Sequence, residues 1–91
     1  MISQLEKLLG TPRDGALLRY SLGLEHAKAG NRSRAIEYLR DAVARDPLYS
    51  AARKALGKAL TDVNPEEALA AYRQAIAAAK QKGDRQAEKE M

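Results

Sequence analysis

His26 is the chain's single imidazole, and imidazole is the side chain best suited to proton transfer near neutrality or to metal binding. A general base needs an orienting acid, however, and a metal site needs further ligands at matching spacing. The 91 residues contain no second histidine and no cysteine, and no acid stands out as an orienting partner for His26. The ring is therefore expected to lie partly buried between helices, bonded to a backbone or side-chain acceptor. Gly23, three residues earlier in "SLGLEHA", would suit a hinge or a phosphate loop, but no phosphate-cradling glycine pattern surrounds it. Nucleophile elbows and paired-acid constellations are also missing, so the chain is read as non-enzymatic, with no cofactor and no metal. Lys54 and Lys58, one helical turn apart, form a short basic strip of the kind that meets an acidic partner.

The bulk properties point to a small helical domain. Sixteen Lys and Arg against twelve Asp and Glu leave a net charge of +4, which favours acidic partners without naming one. Phe and Trp are absent and four tyrosines are the only aromatics, so the core must be thin and built from close approach of small side chains. That composition favours helices, and 91 residues fit one domain. Without cysteine there are no disulfides. The start "MISQLEKLLG" lacks a basic region followed by a sustained apolar run, and no stretch approaches a membrane span. A soluble, cytoplasmic protein with no membrane association is expected.

Helix start and stop signals divide the chain. Residues 2–9, with Ile2, Leu5, Leu8 and Leu9, predict a short helix. A second helix starts between 12 and 15, capped by Thr11 with Pro12 in its first turn or by Asp14, and runs to Gly30. Asn31 caps a third, with Ala35, Leu39, Ala42 and Val43 inward, ending near Arg45 before "DP". Asp46 and Pro47 open a fourth, whose stripe is Leu56, Leu60 and Val63. "NPEE" at 64–67 opens a fifth, with Ala68, Leu69, Tyr72, Ala75, Ile76 and Ala79 inward to about Lys82. Gly83 and Asp84 predict a stop and a new start, leaving a charged C-terminal capping helix over 84–91.

The chain repeats itself. "SLGLEHA" at 21–27 aligns with "ALGKALT" at 55–61 at an offset of 34, and "RAIEYLRDAV" at 34–43 aligns with "EALAAYRQAI" at 67–76 at an offset of 33. Leu22 and Gly23 thus pair with Leu56 and Gly57, Ala35 with Ala68, Leu39 with Tyr72, and Ala42 with Ala75. These residues, with "DP" after the first unit, resemble the tetratricopeptide repeat, a helix, a turn and an antiparallel helix. The resemblance implies an all-α fold of antiparallel hairpins stacked as a short right-handed solenoid. Repeat one covers 12–47 and repeat two 48–82, flanked by the end helices in a single domain 1–91. Arg19 and Arg53 stand where the family has a large apolar residue, and His26 and Leu60 where Tyr is common.

The resemblance also implies roles. Leu22, Gly23, His26, Ala35, Leu39, Ala42, Leu56, Gly57, Leu60, Ala68, Tyr72 and Ala75 pack the repeats, the glycines permitting close helix approach. First helices line a concave groove for extended peptides or helices, here Leu17, Tyr20, Ser21, Leu24 and Lys28, then Ala51, Lys54, Ala55, Lys58 and Asp62. A subset of the family clamps carboxylates with groove cations; Lys54 and Lys58 match its basic pair, while Tyr20, Ser21 and Leu24 stand where its lysine and asparagines belong. The expected function is an adaptor that holds a peptide or helix of another protein, acidic or amphipathic, in this groove. The alternatives are a self-associating structural module that forms a homodimer and, with less support, nucleic-acid binding through Arg32, Arg34, Arg40, Arg45 and Arg53, which are interleaved with acids.

Overall fold

In the computed structural model, five helices follow one another among the described residues: α1 (Ile2–Glu6), α2 (Ala16–Lys28), α3 (Arg32–Arg45), α4 (Ser50–Leu60) and α5 (Pro65–Glu90). The structure describes the backbone of residues 2–90 and the side chains of residues 2–83, and these residues contain no strand. α2 packs against α3, and α4 against α5. The two hairpins stack through α3 and α4, while α1 lies on α2.

Each hairpin closes at its glycine. A β-carbon on Gly23 would stand 2.7 Å from Leu39 Cγ and 3.3 Å from the Ala35 carbonyl oxygen, so α2 and α3 approach to a distance only glycine allows. At Gly57 the same atom would stand 3.0 Å from the Tyr72 ring and 3.2 Å from the Ala68 carbonyl oxygen. Leu22, Leu39 and Leu60 are almost fully buried, and alanines such as Ala35, Ala42, Ala52 and Ala71 fill the space between them.

The two hairpin turns differ by one residue, and the backbone shows which. After α2, Gly30 adopts φ +82°, its N–H bonding the Ala27 carbonyl while the Asn31 N–H bonds the His26 carbonyl. This six-to-one closure needs a left-handed residue, which glycine supplies. After α4, the Asn64 N–H reaches back to the Leu60 carbonyl at 2.8 Å over one residue fewer, and no left-handed residue is used. Both asparagines then cap the following helix. The Asn31 side chain accepts from the Arg34 N–H, and Asn64 accepts from the Glu67 N–H while its amide donates to the Glu67 carboxylate.

Several boundaries fall away from the signals. α1 ends at Glu6 and residues 7–10 continue as turns, closed by Leu8 and Leu9 N–H bonds back to Leu5 and Glu6. Thr11 and Pro12 belong to a turn, because the Thr11 hydroxyl bonds the Leu8 carbonyl and accepts from the Arg13 N–H; α2 starts at Ala16. Asp46 closes α3 and accepts from the Leu48 N–H, so α4 begins only at Ser50 without a side-chain cap. Val63 lies in the turn, exposed.

α5 departs most. It runs through Gly83 as one helix, because helix-forming residues on both sides outweigh the roughly 1 kcal/mol penalty of an interior glycine. The expected separate cap over 84–91 is thus part of α5 as far as Glu90, and its side chains and Met91 lie outside the described residues. The inward face of α5 is Ala68, Ala71, Ala75 and Ala78, whereas Leu69, Ile76 and Ala79 are exposed, since no described element covers that side.

At the other end, Ile2, Leu5, Leu8 and Leu9 pack against Leu18, Leu22 and Tyr38. The Tyr38 hydroxyl donates to the Glu6 carboxylate at 3.1 Å, fastening α1 to α3.

Candidate binding groove

A concave cavity of about 730 Å³ opens where α2, α3 and α4 meet. Leu24 and Ala27 from α2, Leu39 and Ala35 from α3, and Ala55 and Ala59 from α4 form an apolar floor. Lys28 at the end of α2, Arg32 at the start of α3 and Lys58 near the end of α4 stand around it. Their convergence follows from the turns. The tight closure at Gly30 brings Lys28 and Arg32 together, and hairpin stacking carries Lys58 alongside them. Local acids neutralise part of this charge: Arg32 pairs with Asp62 at 3.6 Å and Lys28 with Glu25 at 3.8 Å, both in solvent-exposed geometry.

Of the residues predicted for a groove, Leu24, Lys28, Ala55 and Lys58 line this cavity. Asp62 stands beside it through Arg32. Tyr20 is half-buried, its ring centroid 5.0 Å from that of Tyr49, and packs on the core instead of lining the cavity. The Lys82 ammonium lies 6.0 Å from the Tyr49 ring, within cation–π reach. Leu17 is 68% exposed, Ser21 half-buried, and Ala51 and Lys54 exposed; none of the four belongs to the cavity lining. The basic strip of Lys54 and Lys58 is therefore split, and Arg32 takes the place of Lys54. Sequence spacing within one helix could not show this, because Arg32 joins the site across a turn.

His26 is buried as expected of a residue between helices, yet its Nε2 has no hydrogen-bond partner among the described residues, contrary to the expected acceptor. The ring is held instead by stacking on Tyr38, centroids 5.4 Å apart and planes 17° from parallel. Burial and the bond to Glu6 push the Tyr38 hydroxyl pKa up. The arginines expected to contact nucleic acid are mostly engaged: Arg32 with Asp62, Arg34 with Glu37, Arg40 with Glu67, and Arg53 with the Pro47 carbonyl and Gln74.

Arg19 and Arg53 occupy equivalent places and do equivalent work. Arg19 binds Asp14 ahead of its helix, at 2.9 and 3.1 Å, and Asp41 on α3 at 3.1 Å. Arg53 binds the Pro47 carbonyl ahead of its helix at 2.8 Å and Gln74 on α5 at 2.9 Å. Each guanidinium thus ties the entry loop of a hairpin to its second helix, replacing a large apolar side chain by a polar clasp. The Arg19 hydrogen bonds and the Gly10 N–H lower the Asp14 pKa to about 2.

Paired hairpins with a glycine in each first helix, small residues facing it and near-identical repeat offsets make a recognisable architecture, and relatives share it. The TPR repeat-containing protein PA0015 of Pseudomonas aeruginosa is 47% identical over 92 residues, spanning all of this chain and 88% of that protein. The chain belongs to the tetratricopeptide repeat family. The solution structure of protein BPP2914 from Bordetella parapertussis superposes with a TM-score of 0.74 at 37% identity, covering 99% of this chain and 79% of that one. No family model matches the chain. Tetratricopeptide repeats are in general protein-interaction modules without catalytic activity, and among the described residues no helix is long and apolar enough to cross a membrane.

Proposed function

We propose that this tetratricopeptide repeat protein is a non-catalytic adaptor whose groove holds an acidic, amphipathic helix or peptide of another protein. The supporting observation is the cavity itself: an apolar floor built by three helices under Lys28, Arg32 and Lys58. The floor accepts one or two apolar side chains, and the cations meet carboxylates on the adjacent turn of the same segment. Charge at the rim acts mainly on partner choice and association rate, while burial on the floor supplies affinity.

The test uses a panel of synthetic amphipathic peptides with identical apolar residues and either acidic or basic polar faces. Acidic members are expected to shift the amide and methyl resonances of Leu24, Ala55 and Ala59, and basic members to leave them unmoved. Lys28→Glu with Lys58→Glu should reverse that preference while circular dichroism stays unchanged. Equal binding of both classes, or binding that the double variant does not alter, would sink the proposal.

A further inference from the structure

Leu69 and Ile76 lie two turns apart on the outer side of α5, 52% and 71% exposed. Thirty-three residues earlier, at the equivalent places of the first hairpin, stand Ile36 and Val43. Those two pack against the Leu39, Leu56 and Leu60 cluster, which α4 helps to build. The outer side of α5 is thus the surface on which a following helix would stack, and no described residue of this chain stacks there. α5 is also 26 residues long against 14 for α3, so it presents a longer rod than its own hairpin needs.

The polar residues of this face are ordered. Glu66 precedes Leu69 by about a turn, Arg73 lies between the apolar pair, and Lys80 follows Ile76 by one turn. All of them project on the same side of the helix at 100° per residue. A face running from acid through two apolar residues to base is complementary to itself turned end for end.

We propose that a second copy of this chain occupies the face, the two α5 helices lying antiparallel about a twofold axis between Tyr72 and Arg73. In that register Leu69 of each copy meets Ile76 of the other, Arg73 lies opposite Tyr72 rather than a second Arg73, and Glu66 falls within one residue of Lys80. Apolar burial and charge pairing thus select a single alignment. The groove between α2, α3 and α4 lies on other helices, so dimerisation leaves it open.

Light scattering and sedimentation of the full chain from micromolar to millimolar concentration should show a species of twice the 10.0 kDa chain mass. Leu69→Glu with Ile76→Glu should give a monomer of unchanged helicity. Glu66→Lys or Lys80→Glu alone should weaken the dimer about tenfold, since each change replaces two attractive pairs by repulsive ones. Combining both charge reversals in one chain should restore it, an outcome that general destabilisation cannot produce. A monomer at millimolar concentration overturns the proposal, as does a dimer indifferent to the Leu69 and Ile76 changes or a double reversal no better than the singles.

Discussion

The two hairpins of this chain share a plan but not a neighbourhood. Leu39 in the first touches Gly23 of its own hairpin and also belongs to the cluster formed with Leu56, Leu60, Ala68 and Ala71 of the second. Tyr72, its counterpart, meets Gly57, and among the described residues it belongs to no cluster shared with a further hairpin. Likewise α1 covers the first hairpin, while Leu69 and Ile76 leave the second uncovered. Equivalent positions in a repeat array therefore carry different energies according to what stacks on them.

Leu39→Ala is the strongest way to expose this difference. It removes an almost fully buried side chain from the joint between hairpins, with an expected loss of about 2–5 kcal/mol. That is a large share of the roughly 5–15 kcal/mol available to a small domain. Urea denaturation should show a lower midpoint, and if the joint breaks before the hairpins do, the single transition should split. A loss below about 1 kcal/mol would mean that the hairpins are not coupled through this residue.

The glycines offer a finer comparison. Alanine at either site gains roughly 1 kcal/mol of helix propensity, but must be accommodated. At Gly23 the obstacle is the branch carbon of buried Leu39, which cannot move without shifting its helix, and overpacking of this kind costs about 1–3 kcal/mol. At Gly57 the obstacle is the ring of Tyr72, half-buried and able to turn outward. Gly23→Ala should therefore destabilise by up to about 2 kcal/mol, while Gly57→Ala, which meets a ring able to yield, should cost less and stay within about 1 kcal/mol of wild type. Equal losses in thermal unfolding would refute the difference in packing.

What could be read from the sequence followed from the repeat. Gly23 and Gly57 recur in register with the alanines they face, so the hairpins were legible, and Asn31 and Asn64 marked their turns. Local signals failed where a neighbouring local contact competes: Thr11 and Asp46 bond within turns instead of capping helices, and Gly83 yields to the helix around it. The cavity was half legible. Leu24, Lys28, Ala55 and Lys58 follow from the family resemblance, with helix spacing supporting Leu24 and Lys58, but Arg32 enters through the turn, and Tyr20 packs on Tyr49 instead. The outward turn of Leu69 and Ile76 depends on whether a following helix exists, which periodicity alone does not show.

The arginine clasps give the smallest effect and separate the hairpins by charge rather than by packing. Arg19 is held by two carboxylates, Arg53 by a carbonyl and an amide, so only the first clasp responds to acid. The Asp14 pKa is lowered from 3.8 to about 2 in the fold, chiefly by its hydrogen bonds from Arg19. A lowered folded-state pKa contributes stability that is present above the unfolded value and is lost as pH falls through the folded one. The first clasp should accordingly weaken between pH 3.8 and about 2, and the second should not. Arg19→Gln should flatten the pH dependence of the urea midpoint in that window, whereas Arg53→Gln should lower the midpoint without changing its slope against pH. If Arg53→Gln flattens it equally, acid sensitivity does not reside in the first hairpin, and the clasps differ in geometry alone.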